Sequence, residues 1–166
     1  MKYSFIISFL ILISCNSNQE IDEEKEKQLI IDLIESESNY FMSRDVDRWQ
    51  SIYVNEPYIF TNWTLLYEPG DVVVTNGYNN LVKTVSNYWN NSESKGLQPF
   101  TNYNYNIQLR ENVAWANFIQ RSEGLGYVVD SYNTRILEKI DGEWKFAGVI
   151  TATDFKDATP PIPCNY

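Results

Sequence analysis

The chain contains no histidine. This removes the commonest general base, the commonest zinc ligand and every Ser-His or Cys-His nucleophile arrangement. Any chemistry must run on carboxylates, tyrosine, lysine or arginine, and the sequence implies neither a metal nor a cofactor. Positive charge is also scarce: 13 Lys and Arg stand against 22 Asp and Glu, a formal charge of −9. Such a chain repels nucleic-acid phosphates and gains nothing from an anionic membrane surface, which excludes nucleic acid as a partner. With only two cysteines, Cys15 and Cys164, there is no disulfide framework. The apolar run Tyr3 to Ile13 is too short to cross a bilayer, which takes roughly 20 residues.

That short run has a different use. Met1-Lys2, the apolar stretch and then Ser14 are the parts of a secretory signal. Leu12-Ile13-Ser14-Cys15 resembles the lipobox of bacterial lipoproteins, in which cleavage falls before the cysteine and acyl chains are attached to it. The resemblance implies a signal peptide over residues 1–14, a mature chain beginning at Cys15, and a membrane anchor made of acyl chains, each buried methylene contributing about 0.8 kcal/mol. Residues 15–23 then form an acidic tether. Glu20, Asp22, Glu23, Glu24 and Glu26 read as a solvated lead-in to a helix, or resemble the surface-export signals of some Gram-negative lipoproteins. The expected location is the bacterial cell envelope, at the outer membrane. Cys164 stands unpaired beside Pro160-Pro161-Ile162-Pro163 in a tail over residues 156–166.

Between tether and tail, residues 24–155 have the length of one domain with its own core. From about Glu24 to Ser43 no Gly or Pro intervenes, and Ile30, Leu33, Ile34, Tyr40 and Phe41 fall at helical spacing. Asp45 is an N-cap for a second, short helix with Val46, Trp49, Ile52 and Tyr53 on its buried side, ended by Pro57. Tyr58 to Trp63 reads as a strand, Pro69-Gly70 as a turn, and Gly77 introduces a third helix over roughly Tyr78 to Trp89. Beyond Pro99 the period changes to two. Tyr103, Tyr105, Ile107 and Leu109 alternate with polar residues, and a turn at Glu111-Asn112 sets Leu109 against Ala114, Ile107 against Ala116 and Tyr105 against Phe118. Asp141-Gly142 is a type I′ turn signal that sets Leu137 against Phe146, Glu138 against Lys145 and Arg135 against Gly148. Helices first and long antiparallel strands afterwards describe an α+β fold, with N-terminal helices on one face of a strongly curved antiparallel sheet.

The long first helix, Arg44-Asp45-Val46-Asp47-Arg48-Trp49 opening the second, Gly77 before the third, Asn112-Val113-Ala114-Trp115-Ala116 and Arg135-Ile136-Leu137-Glu138-Lys139-Ile140-Asp141-Gly142-Glu143-Trp144 together resemble the nuclear transport factor 2-like superfamily, which includes SnoaL-like cyclases and ketosteroid isomerases. The resemblance implies a cone-shaped α+β barrel with an apolar pocket open at one end. It does not assign a function, because the fold hosts isomerases, cyclases, dehydratases, dimerisation modules and binders. The chain also departs from the family's enzymes. Pro57 to Tyr67 holds no carboxylate where the base often lies, and Ala147, Gly148 and Val149 replace the frequent histidines of the last strand.

Candidate site residues follow. Asp154, if alternation persists from Trp144 through Phe146, Gly148 and Ile150, faces the cavity and could act as an acid or base; alternatively it ends the strand in solvent or pairs with Arg135. Arg135 offers a guanidinium to an anionic or carbonyl ligand. Tyr40 could donate to an oxyanion, as a tyrosine does in the steroid isomerases, or pack in the core. Trp63, Tyr88, Trp89, Tyr105, Trp115 and Phe118 are the aromatic candidates for lining a pocket. The expected function is a lipid-anchored envelope protein whose domain binds a small apolar or aromatic molecule, or a protein partner, without catalysis. The alternative is an isomerase, cyclase or dehydratase using Asp154, and a homodimer is a further expectation.

Overall fold

The computed structural model describes residues 22–64, 72–91, 100–124 and 127–153. Helix α1 (Glu23–Ser43) starts where the Asp22 carboxylate accepts from the Lys25 amide at 3.2 Å, and Glu23, Glu24 and Glu26 place negative charge against its positive end. It stops at Arg44, whose backbone is left-handed at φ 55°. Its buried stripe is Ile30, Ile34, Glu37 and Ser38, so two polar residues occupy positions that the helical period turns inward. Helix α2 (Val46–Ser51) is capped by Asp45, which accepts from the Arg48 amide. It ends well before Pro57, because the last strand captures the chain: the Val54 amide donates to Phe146 O and the Phe146 amide donates to Ile52 O, both at 2.9 Å. Trp49 and Tyr53 are buried as expected, whereas Val46 is exposed.

Strand β1 (Phe60–Thr64) begins two residues later than its sequence signal, and β2 (Val72–Asn76), unanticipated, pairs with it antiparallel. Its Val72-Val73-Val74-Thr75 run carried the signal in its β-branching. Gly77, at φ 84°, donates its amide to Ile59 O at 2.7 Å and starts α3 (Tyr78–Asn91). Strands β3 (Thr101–Arg110), β4 (Val113–Gly124), β5 (Tyr127–Ile140) and β6 (Glu143–Thr153) follow. The sheet runs β2-β1-β6-β5-β4-β3. It is curved, unclosed and antiparallel except where β1 runs parallel to β6, so the all-antiparallel expectation is corrected to a mixed sheet. The α+β class holds.

Two bulges reset the register. On β3 the pairings Leu109 with Ala114 and Ile107 with Ala116 hold, but Asn104, left-handed at φ 57°, is an extra residue, so Asn104 and Tyr105 together oppose Phe118. In the β3–β4 turn the left-handed residue is Glu111 rather than Asn112. On β6 Leu137 pairs with Phe146 and Glu138 with Lys145, but Ala147 is bulged. Arg135 therefore lies across from Val149, not Gly148. Gly148 pairs with Ile136, and the space a side chain would need there is taken by the Phe60 ring, 2.8 Å from an ideal Cβ.

The core lies between the helices and the concave side of the sheet. Ile30 and Ile34 of α1, Trp49 and Tyr53, and Leu81, Val85 and Trp89 of α3 pack with Ala114, Ala116, Phe118, Leu137, Phe146 and Val149.

Candidate functional site

The core does not fill the cone. A pocket of about 180 Å³ remains between α1, α2, α3 and the inner face of the sheet, and most of its lining is apolar. Phe41, Trp49, Trp63, Val73, Val85 and Tyr88 supply the apolar walls. The sheet supplies a polar wall. On β5 the inward column reads Arg135, Asn133, Ser131, all buried, while Tyr132 between them is 63% exposed on the outside. On β6 the Ala147 bulge shifts the phase, so Val149 is buried, Thr151 and Thr153 line the pocket and Ile150 turns outward. Gln120 and Ser122 of β4 continue the polar lining.

The polar groups are held by two sets of hydrogen bonds. At the inner end Arg135 Nε donates to Glu37 Oε2 at 2.8 Å, with the two side chains only 5% and 9% exposed. The Tyr53 hydroxyl donates to Glu37 Oε1. Arg135 Nη1 donates to Asn133 Oδ1 at 3.2 Å, which also accepts from Thr151 Oγ1 at 2.7 Å, and Asn133 Nδ2 donates to Ser131 O. The guanidinium lies over the Phe118 ring at 5.3 Å. Its Nη2 makes no hydrogen bond among the described residues. Farther along, Ser131 and Thr153 share a 2.7 Å hydroxyl contact, and Gln120 Nε2 donates to Asn102 Oδ1 and Ser38 Oγ. Glu37 and Arg135 are the charged residues of the lining, and they neutralise each other. Burial, reinforced by the adjacent Glu37 carboxylate, pushes the Tyr53 hydroxyl well above the ordinary tyrosine range.

Of the residues singled out in the sequence, Arg135, Trp63 and Tyr88 meet at this pocket. The others are elsewhere. Trp115 is on the outer face of the sheet, 41% exposed, because the strand's period of two turns it away from Ala114 and Ala116. Trp89 is core, packed edge-on against Trp49 at 5.5 Å, with its buried Nε1 unpartnered among the described residues. Phe118 is core beneath Arg135, and Tyr105 stacks on it at 5.4 Å while its hydroxyl donates to Glu35. Tyr40 lies half-buried under the Arg48 guanidinium rather than at the pocket. Asp154, like Cys15 and Cys164, lies outside the described residues. The strict alternation expected along β6 from Trp144 is broken at Ala147.

Sequence reasoning overlooked Glu37, Ser38, Asn133, Ser131, Gln120 and Thr151. A signal existed for the first two: they continue the Ile30–Ile34 stripe as polar residues, a place where a helix that only packs would carry apolar ones.

No family model matches the chain, and no curated protein matches it. Solved structures do. An NTF2-like protein of unknown function from Pseudomonas putida KT2440 superposes with a TM-score of 0.62 at 13% identity, over 80% of this chain and 89% of that one. A candidate scytalone dehydratase from Novosphingobium aromaticivorans gives 0.61 at 14% identity, over 87% and 96%. A hexachlorocyclohexane dehydrochlorinase gives 0.58 at 16% identity, over 87% and 95%. At these identities the likeness is one of fold, and the chain has the NTF2-like fold.

Proposed function

We propose that this NTF2-like domain is held at the bacterial envelope by acyl chains on Cys15 and binds a small apolar or aromatic molecule in its pocket without converting it. The observation that carries the reading is the pocket's composition: mostly apolar walls, and a single buried ion pair whose charges already satisfy each other. A general acid or base needs a proton that moves near the working pH. Tyr53 holds its proton far above that range, and both Glu37 oxygens accept hydrogen bonds. Native mass spectrometry of the protein after incubation with extract of the source organism tests the reading. A reproducible small added mass is expected; a clean unliganded spectrum counts against it.

The likeness to a candidate dehydratase and to a dehydrochlorinase favours one second reading, an enzyme that eliminates or isomerises beside a carbonyl with Asp154 as its acid or base. Asp154→Asn decides it: turnover that survives the substitution unchanged ends that reading. The anchor has its own test. Cys15→Ser should abolish incorporation of labelled palmitate and release the protein from the membrane fraction. A second copy of the chain, or a protein partner, would meet the outer sheet face where Trp115, Tyr132 and Ile150 are exposed, and sedimentation velocity across a concentration series reports it.

A further inference from the structure

The polar wall narrows the class of molecule the pocket takes, an inference that rests on the binding reading above. Three observations combine. The volume, about 180 Å³, is close to that of a cavity of about 150 Å³ that accepts benzene, so there is room for one ring and a short substituent. Of the Arg135 guanidinium, Nε and Nη1 are bound to Glu37 and Asn133, while Nη2 has no hydrogen-bond partner among the described residues. Arg135 lines the pocket, and Nη2 is the donor it leaves over for a ligand. Finally, the guanidinium's charge is already matched by Glu37 at 2.8 Å, and no second cation lines the pocket among the described residues.

From these we infer that the pocket is a site for a neutral, single-ring aromatic or comparably sized apolar molecule carrying one uncharged hydrogen-bond acceptor, such as a ketone, aldehyde or ester carbonyl, received by Arg135 Nη2. A hydrocarbon of the same shape fills the walls but leaves a charged donor facing it unpaired, which costs affinity. A carboxylate does pair with the donor. It also brings a second anion beside Glu37 in a place withdrawn from water, where one guanidinium cannot compensate both. A cationic ligand finds no carboxylate oxygen unengaged, since Glu37 Oε1 accepts from Tyr53 and Oε2 from Arg135. Trp49 and Trp63 in the walls suit a flat ring.

Three probes of nearly one shape separate these cases: acetophenone, α-methylstyrene, in which a methylene replaces the carbonyl oxygen, and benzoate. Each is titrated into the full chain and followed by protein-observed NMR, with the side-chain Nε–H resonance of Arg135 as the local reporter. Acetophenone is expected to bind at least about tenfold more tightly than either of the others and to shift that resonance. Equal affinity for acetophenone and α-methylstyrene overturns the acceptor inference and leaves the binding reading standing. Tightest binding by benzoate overturns the neutrality of the ligand. Failure of all three to bind overturns both the inference and the reading beneath it.

Discussion

At the scale of single residues, Glu37 and Arg135 decide how the interior is organised. Each is a charge taken out of water, a cost recovered by the 2.8 Å pairing together with the bonds from Tyr53 and to Asn133. Breaking such a pair from one side leaves a buried charge alone. Arg135→Met or Glu37→Leu should therefore lower stability by about 3–5 kcal/mol in denaturant unfolding, while the double variant loses less than the sum of the two. Additive losses would mean that the pair is not coupled. Gly148 is constrained differently. A Cβ there would stand 2.8 Å from the Phe60 ring and 3.3 Å from Ile136, so Gly148→Ala should cost about 1–3 kcal/mol by overpacking. Arg135 was legible as a candidate, but through an expected pairing with Gly148 that the bulge replaces with Val149. Its ion-pair partner was not, since nothing in local sequence joins residue 37 to residue 135.

At the scale of elements, the β6 bulge matters most. Ahead of Ala147 the inward residues are Trp144 and Phe146; beyond it they are Val149, Thr151 and Thr153. Deleting Ala147 would restore strict alternation and turn Thr151 and Thr153 outward, exchanging them with Ile150 and Ala152. The expected result is a loss of more than about 3 kcal/mol, read as an earlier, less cooperative melt. Ala147→Ser, which keeps the residue count, should melt close to the parent. Hairpins and helices were largely readable: Asp45 caps α2, and Asp141-Gly142, with φ of 52° and 87°, makes the expected turn. Asp45→Ala should accordingly cost about 1 kcal/mol. The inner face of β5 escaped the sequence reading for a physical reason. Polarity there is inverted, with Ser131, Asn133 and Arg135 inside and Tyr132 outside, because its inner face borders a pocket as well as a packed core. A hydrophobic alternation identifies a strand but names its inner face only where that face is dry.

For the whole molecule, titrating groups set a window of stability. Glu26 is held below the usual carboxylate range, chiefly by its hydrogen bond from Lys139, and Asp130 likewise by Arg121. A depressed carboxylate stabilises the fold while ionised, so this contribution is present above the unfolded values of 4.5 and 3.8 and is lost as pH falls through the lower folded ones. Tyr53 acts in the opposite direction. Its folded value lies above the unfolded 10.0, so its contribution is full below pH 10 and disappears as pH rises further. A urea midpoint measured against pH should show a plateau between those limits and decline on both sides. Tyr53→Phe should weaken the alkaline decline, and an unchanged alkaline limb would exclude Tyr53 as its source.

Local patterns decided the broad outcome. Helical period, turn residues and the change to a period of two beyond Pro99 were enough for an α+β fold with helices on a curved sheet, because those signals act over a few residues. The missing histidines and the negative charge restricted the chemistry in the same direct way. The site was settled at longer range. Capture of Val54 by Phe146, the parallel docking of β1 on β6, the Ala147 bulge and the meeting of Glu37, Tyr53 and Arg135 all join residues far apart in the chain. Each depends on how layers pack around a pocket, and that packing is fixed only when the whole sheet has curved over the helices.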